Sequence, residues 1–363
     1  MRILTVFGTR PEAIKMAPVI QACAAAHVEC AVCVTAQHRQ MLDQMLEVFG
    51  IRPDYDLNVM QENQSPLTVA ARVMESLAPV IATSKPDWLL VQGDTTSAFA
   101  AAFVAYHQRM CLGHIEAGLR TRDKWQPFPE EMNRRLISAV ADMNFAPTDG
   151  AAKSLRAEGV PEKNILVTGN TVVDALHTIL QRAPRYSDAK LQSLTGRILL
   201  VTAHRRENFG PPLQQICLAI RDLLQQFPDV TAVFPVHPNP AVGETVQRVL
   251  GKEPRVLLTP PLAYPEFVHL MKRAALILSD SGGVQEEAPS VGTRVLVMRD
   301  VTERPEAVES GWARLVGASR KEIVAGAAEW LQPLPTNLQR PGPNPFGDGK
   351  AGERIVQALL GSL

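Results

Sequence analysis

Short apolar runs recur along this chain, and each one stops at a polar or glycine-containing cluster. Ile3–Phe7, Cys30–Thr35, Trp88–Val91, Leu112–Ile115, Met143–Ala146 and Ile165–Gly169 form a first series. Ile198–Thr202, Thr231–Pro235, Arg255–Leu258, Ala275–Ser279 and Arg294–Met298 form a second. Runs this short, without polar alternation, predict strands buried on both faces. Parallel strands need crossover connections, and helical stretches supply them: Pro11 to Ala25, Met41–Phe49, Leu67–Thr83, a helix carrying Phe267, and Lys350–Leu360. The expected fold is therefore α/β, with two Rossmann-like doubly wound domains facing a central cleft. The domains are expected at 1–170 and 171–345, with a C-terminal helix in 346–363 that packs back on the first.

A length of 363 residues suits two domains of about 150–180 residues each. Thirty-seven basic residues balance thirty-seven acidic ones, which argues against a nucleic-acid or membrane-surface partner. Met1-Arg2 leads straight into the first strand, and no apolar run approaches the roughly 18 residues of a membrane span, so a cytoplasmic protein is expected. Five cysteines are present; Cys30 and Cys33 form a C-x-x-C inside a strand, with no second pair to complete a zinc site. They read as small buried hydrophobes.

In open α/β sheets ligands gather beyond the carboxyl ends of strands, so the run-end clusters are the candidate sites. Asp280-Ser281-Gly282-Gly283-Val284-Gln285-Glu286-Glu287 opens a short helix. Asp280 or Ser281 can cap it, two glycines let a ligand approach the backbone, and the free N–H groups attract an anion. Glu287 lies a turn further in. An ordinary glycine turn has the same composition, so this stretch decides nothing alone. Arg304 follows the next run and faces Ser281–Gly283 from a neighbouring strand end.

In the first series, Gly8-Thr9-Arg10-Pro11 opens a helix. Arg10 and Lys15 beside its free N–H groups read as a clamp for a polyanion. The loop is neither G-x-G-x-x-G nor G-K-[ST], which disfavours nicotinamide enzymes and P-loop NTPases. Asp94 ends the third run, where it serves either as a helix N-cap or in catalysis, and Glu116 ends the fourth. Glu130 follows Phe128-Pro129 as a third carboxylate, beside a loop, Arg122–Pro129, that suits a lid or cleft wall. His204-Arg205-Arg206 is the most basic spot in the chain. Cations around a diphosphate, with carboxylates to move protons on the attached group, describe chemistry on a nucleoside-diphosphate sugar without metal or other cofactor.

Eight blocks, in order, carry a resemblance: Gly8–Lys15, Thr35–Arg39, Gly93–Thr96, Glu116–Thr121, Pro129–Glu131, His204–Glu207, Asp280–Glu287 and Thr302–Ala307. Over its full length the chain resembles the bacterial non-hydrolysing UDP-N-acetylglucosamine 2-epimerases. That resemblance implies a glycosyltransferase-B type fold, a homodimer, and interconversion of UDP-N-acetylglucosamine and UDP-N-acetylmannosamine through a glycal, for surface polysaccharide synthesis. It implies Asp94, Glu116 and Glu130 as acid/base groups and His204, Arg10 and Lys15 as diphosphate or catalytic contacts. Phe267, Ser281, Gly282, Gly283, Glu287 and Arg304 become the UDP site. A second UDP-N-acetylglucosamine, acting as activator, is implied at Gln37, Gln40, Glu131, Arg205 and His237. Asn63, where some members carry arginine, departs from the activator pattern; Leu262 and Gln92 are milder departures. The other readings are an epimerase of a related UDP-N-acetyl sugar, a glycosyltransferase of the same fold, a hydrolysing epimerase, and a sugar-nucleotide sensor.

Overall fold

A computed structural model describes residues 1–36, 39–60, 64–332 and 341–361, with Arg206 described in its backbone alone. Gln37, Asn63 and residues 333–340 of the proline-rich segment lie outside the described residues. The chain divides into two compact units, Met1–His177 with Phe346–Leu363, and Thr178–Pro345.

Unit 1 is a parallel sheet of β1 (Arg2–Phe7), β2 (Glu29–Val34), β3 (Tyr55–Asp56), β4 (Trp88–Gln92), β5 (Cys111–Ile115), β6 (Met143–Ala146) and β7 (Ile165–Val167). Its spatial order is β3-β2-β1-β4-β5-β6-β7. Unit 2 contains β8 (Arg197–Thr202), β9 (Val230–Pro235), β10 (Val256–Thr259), β11 (Ala274–Ser279), β12 (Val295–Val297) and β13 (Ala313–Leu315), in the order β10-β9-β8-β11-β12-β13. Every pairing is parallel. Helices cover the faces, and side chains such as Leu4, Leu89, Leu200 and Phe234 are fully buried. Each such side chain contributes roughly 1.5–3 kcal/mol of transfer free energy.

Two edge strands had no sequence signal. Tyr55–Asp56 is only two residues long, and Ala313–Leu315 is three residues with an arginine in the middle, so neither is long enough to show a period.

In each sheet the first strand lies inside, and the winding direction reverses beside it. That reversal falls between β1 and β4 in unit 1, and between β8 and β11 in unit 2. Crevices form beyond the carboxyl ends of strands at such reversals. The flanking loops are Gly8-Thr9 and Gly93–Thr95 in the first unit, and Ala203–Arg205 and Asp280-Ser281 in the second.

The C-x-x-C does not form a thiol pair. Residues three apart in a strand point to opposite faces, so Cys33 is buried on one side while Cys30 meets Cys23 on the other. The C-terminal helix Ala351–Leu360 packs on the Arg10–Ala25 helix within unit 1. The contact is close: a Cβ on Gly352 would lie 2.8 Å from the Pro18 carbonyl oxygen. Among the described residues no helix is long and apolar enough to cross a membrane.

Candidate active site

Unit 1 gathers its carboxylates around Glu116, just past β5. Glu116 has a φ of 65°, a left-handed conformation that costs a non-glycine residue on the order of 1–3 kcal/mol. Three side chains hold it there. The Lys15 ammonium and Asn170 Nδ2 (3.0 Å) donate to Oε1, and Gln92 Nε2 donates to Oε2. Lys15 is therefore in the second turn of its helix with its charge paired to Glu116.

Asp94 follows β4 and accepts from Arg134 Nη2 at 2.6 Å, while its carbonyl accepts from Asn133 Nδ2 at 2.9 Å. Its side chain keeps 29% of its accessible surface. Enclosure pushes the Asp94 carboxyl up; Arg134 pulls it down, Glu116 and Glu130 push it up further, and Lys15 opposes them, leaving it above the usual range. The helix cap at this position is Thr95, which accepts from Ala98 N, so Asp94 is released from capping. Glu130 opens the Glu130–Val140 helix, and its Oε2 is buried without a hydrogen-bond partner among the described residues. Such an atom calls for an explanation in function. Glu131 is fully buried and accepts from the backbone N–H groups of Thr121 and Arg122, so it anchors the loop leading to Trp125 and Phe128. Those two rings are exposed and in contact, 5.7 Å between centroids.

One expectation for this half is corrected. The N–H groups of Gly8 and Thr9 are not free, because both donate to Glu12 Oε2, at 3.0 and 2.8 Å. Arg10 stands half-buried at the start of its helix.

In unit 2, Asp280 is the hub. It does not cap the helix it precedes; Ser281 occupies that position, without a side-chain cap bond. Asp280 turns instead to the loop after β8, where Oδ2 accepts from His204 N (2.9 Å), Arg205 N (2.9 Å) and Asn208 Nδ2 (3.0 Å). Its Oδ1 lies 3.0 Å from His204 Nδ1, an ion-pair distance without the alignment of a hydrogen bond. Burial raises the Asp280 carboxyl, but His204 and these donors outweigh it and hold it below its ordinary value. The His204 ring is 40% exposed and stacks on His237, with centroids 6.2 Å apart. Burial, and then His204, lower the His237 imidazole against the opposing pull of Asp280. Arg205 is half-buried, and its Nε has no hydrogen-bond partner among the described residues.

The Gly282–Glu287 helix starts beside Arg304. The guanidinium lies against Gly282, donates to Glu286 Oε1 at 2.8 Å and pairs with Glu303 at 3.1 Å. Glu287 accepts from the Tyr264 hydroxyl at 2.8 Å. Phe267 is half-buried on the same Tyr264–Arg273 helix, and Leu262 is buried just before it. Ser281 and Gly283 are half-buried at the helix mouth. Gln40 is exposed on the Arg39–Phe49 helix of unit 1.

Sequence reasoning missed Glu12, Arg134 and Asn170 in unit 1, and Asp280 as the partner of His204 in unit 2. Arg134 had a usable signal, since it lies one helical turn after Glu130 and so shares its face. Glu12 had one too, since Thr9-x-x-Glu12 has the spacing of a capping box. Asn170 and the Asp280–His204 pair had none, because their partners are remote in sequence.

A carboxylate cluster on one Rossmann-like unit, with a glycine-opened helix, an arginine and a His–Asp pair on the other, define a sugar-nucleotide enzyme of the glycosyltransferase-B type. Comparisons with known proteins narrow that class. The family model described as UDP-N-acetylglucosamine 2-epimerase matches residues 21–360. The UDP-N-acetylglucosamine 2-epimerase of Escherichia coli K12 is 48% identical, over 99% of this chain and 98% of that protein. A crystal structure of UDP-GlcNAc 2-epimerase from Neisseria meningitidis bound to UDP-GlcNAc is 43% identical, with a TM-score of 0.89 over 99% of this chain and 100% of that one. The Methanocaldococcus jannaschii UDP-GlcNAc 2-epimerase in complex with UDP-GlcNAc and UDP is 34% identical, with a TM-score of 0.85 over 99% of each chain. The chain belongs to the UDP-N-acetylglucosamine 2-epimerase family. It is thus an isomerase.

Proposed function

We propose that the protein interconverts UDP-N-acetylglucosamine and UDP-N-acetylmannosamine in the cytoplasm, without a cofactor, and supplies surface polysaccharide synthesis. The observation that carries this reading is the group of three carboxylates in unit 1 in unlike environments. Glu116 is held by Lys15, Gln92 and Asn170, Asp94 by Arg134, and Glu130 keeps a buried oxygen unpartnered. A proton taken from one face of a carbon and returned on the other needs more than one positioned acid/base group.

The C2 hydrogen of the sugar is too weakly acidic for simple exchange. In the proposed first step a carboxylate takes the C2 proton, the C–H electrons form the C1–C2 double bond, and the C1–O electrons leave with UDP. Protonation of the glycal at C2 on its other face, with return of the UDP oxygen to C1, completes inversion. Asp94, Glu116 and Glu130 move the protons. Lys15, by its pairing, acts best as the cation that holds Glu116. Arg10, Arg304 and His204 attend the departing diphosphate. Ser281, Gly282 and Gly283 offer backbone to phosphate, Glu287 meets the sugar hydroxyls of UDP, and Phe267 borders the nucleoside.

For a second UDP-N-acetylglucosamine, Gln37, Gln40, Arg205 and His237 are the proposed contacts, and Glu131 acts by holding the Thr121-Arg122 loop; the Arg205 Nε, without a hydrogen-bond partner among the described residues, and the His204–His237 stack support the unit 2 part of it. A homodimer is proposed as well. The exposed Phe103, Tyr106 and Leu136, on two helices of unit 1 that pack together, support it.

The test is proton NMR of the purified protein with UDP-N-acetylglucosamine in deuterium oxide. UDP-N-acetylmannosamine carrying deuterium at C2 is the expected product. Free N-acetylmannosamine with UDP would establish hydrolysis, and an unchanged substrate would overturn the reading.

A further inference from the structure

Glu12 belongs to none of the roles above, yet both of its carboxylate oxygens are engaged. It is 1% exposed. Its Oε2 accepts from Gly8 N (3.0 Å), Thr9 N (2.8 Å) and the Thr9 hydroxyl (2.7 Å), and its Oε1 accepts from the Thr95 hydroxyl at 2.6 Å. Thr9 is the N-cap of the Arg10–Ala25 helix, and Thr95 is the N-cap of the Thr96–His107 helix. Those two helices start at the carboxyl ends of β1 and β4, where the winding of the sheet reverses. That is the position at which this type of sheet ordinarily receives a ligand's phosphate.

We infer that Glu12 fills the anion seat of unit 1 from within, and acts as a positioning residue that fixes Asp94 relative to the Arg10 loop. This rests on the epimerase reading above. A carboxylate reproduces what a phosphate would do there: it satisfies N–H groups at one helix start and ties them to the hydroxyl that caps the other. Thr95 is the residue after Asp94, so the Glu12–Thr95 bond sets where the Asp94 backbone leaves β4. The Asp94 carbonyl and carboxylate are then held from the other side by Asn133 and Arg134. With its seat occupied, the Gly8 and Thr9 N–H groups are closed to phosphate, and in unit 1 only the Arg10 side chain is left to attend the diphosphate. Burial pushes the Glu12 carboxyl up, and the Thr95, Thr9 and Gly8 donors draw it back.

Two variants test the inference. Glu12→Gln keeps the shape but turns one acceptor into a donor facing donors. Displacing a reacting group by about 1 Å costs on the order of 100-fold, so kcat should fall roughly 10–100-fold with KM within about threefold of wild type. Glu12→Ala empties the seat. Formate should then raise the melting temperature of Glu12→Ala and restore part of its kcat, while chloride at equal ionic strength does neither and the wild type responds to neither. Wild-type kcat in Glu12→Gln, a loss confined to KM, or a formate response shared by wild type would each overturn the inference. If wild type itself does not epimerise, the functional reading fails, and the formate-dependent melting of Glu12→Ala still decides whether the seat is real.

Discussion

His204 Nδ1 lies 3.0 Å from Asp280 Oδ1, across 76 residues of chain, with the same aspartate holding the His204 and Arg205 backbone through its other oxygen. A carboxylate on Nδ1 favours the proton on that nitrogen and leaves Nε2 as the working atom. Asp280 therefore orients the ring and the loop together. Asp280→Asn presents an amide to Nδ1 and favours the other tautomer. The expected result is a loss of kcat of roughly 100-fold or more, together with a changed tautomer ratio in the nitrogen NMR of His204. A retained tautomer with normal kcat would contradict the orienting role.

The Arg134–Asp94 pair makes a prediction about pH. Arg134 is the strongest influence pulling the Asp94 carboxyl down, so replacing it removes that pull and moves the carboxyl further up. For a step that needs ionised Asp94, the acid limb of the kcat profile in Arg134→Met should shift to higher pH. Activity near neutrality should fall roughly 10–100-fold. An acid limb at the wild-type position would show that Asp94 does not govern it.

Gly282 makes a prediction about binding. A Cβ there would meet Arg304 Cζ and Nη1 at 3.1 Å, so Gly282→Ala shifts the guanidinium by a few tenths of an ångström at the helix mouth. Since Arg304 is proposed to hold diphosphate, KM for the sugar nucleotide should rise about tenfold, near 1.4 kcal/mol, with kcat changed less. Calorimetric titration with UDP checks the same loss without turnover.

His114 makes a prediction about stability. It is fully buried on β5, with Nε2 2.8 Å from the Gly93 carbonyl and Nδ1 3.2 Å from the Ser138 hydroxyl. Burial lowers the imidazole from 6.5 to about 4, so the folded protein keeps it neutral where the unfolded chain would bind a proton. The group's contribution is complete above pH 6.5 and is lost as pH falls from there to about 4, to an extent of at most about 3 kcal/mol. Denaturant titrations between pH 7 and 4 should show that loss in wild type and less of it in His114→Gln, whose amide can still donate to Gly93.

The strand-end logic was legible from the order of residues alone. Asp94, Glu116, His204 and the Ser281–Gly283 turn all sit at carboxyl ends of parallel strands, because apolar runs closed by polar clusters encode both the strand and its exit. Some local details were not legible. The T-x-x-E spacing of Thr9 and Glu12 signals that Glu12 folds back on the helix start, but nothing local says that it also reaches the Thr95 hydroxyl, 83 residues on. Asp280 looks like a helix cap, since aspartate before a helix usually is one, but the loop after β8 offers it three donors and a histidine, which together outcompete two N–H groups.

The sequence by itself determined the alternation of strand and helix, the two series, and which residue types stand at the sheet edges. These depend on burial period and turn chemistry over a few residues, which any window of the chain displays. Only the tertiary structure decided the partnerships: Lys15 with Glu116, 101 residues apart, and Arg134 with Asp94, 40 apart. Strand order sets those meetings. It places β1 beside β4 and β8 beside β11, and so brings together charges that no local pattern could have paired.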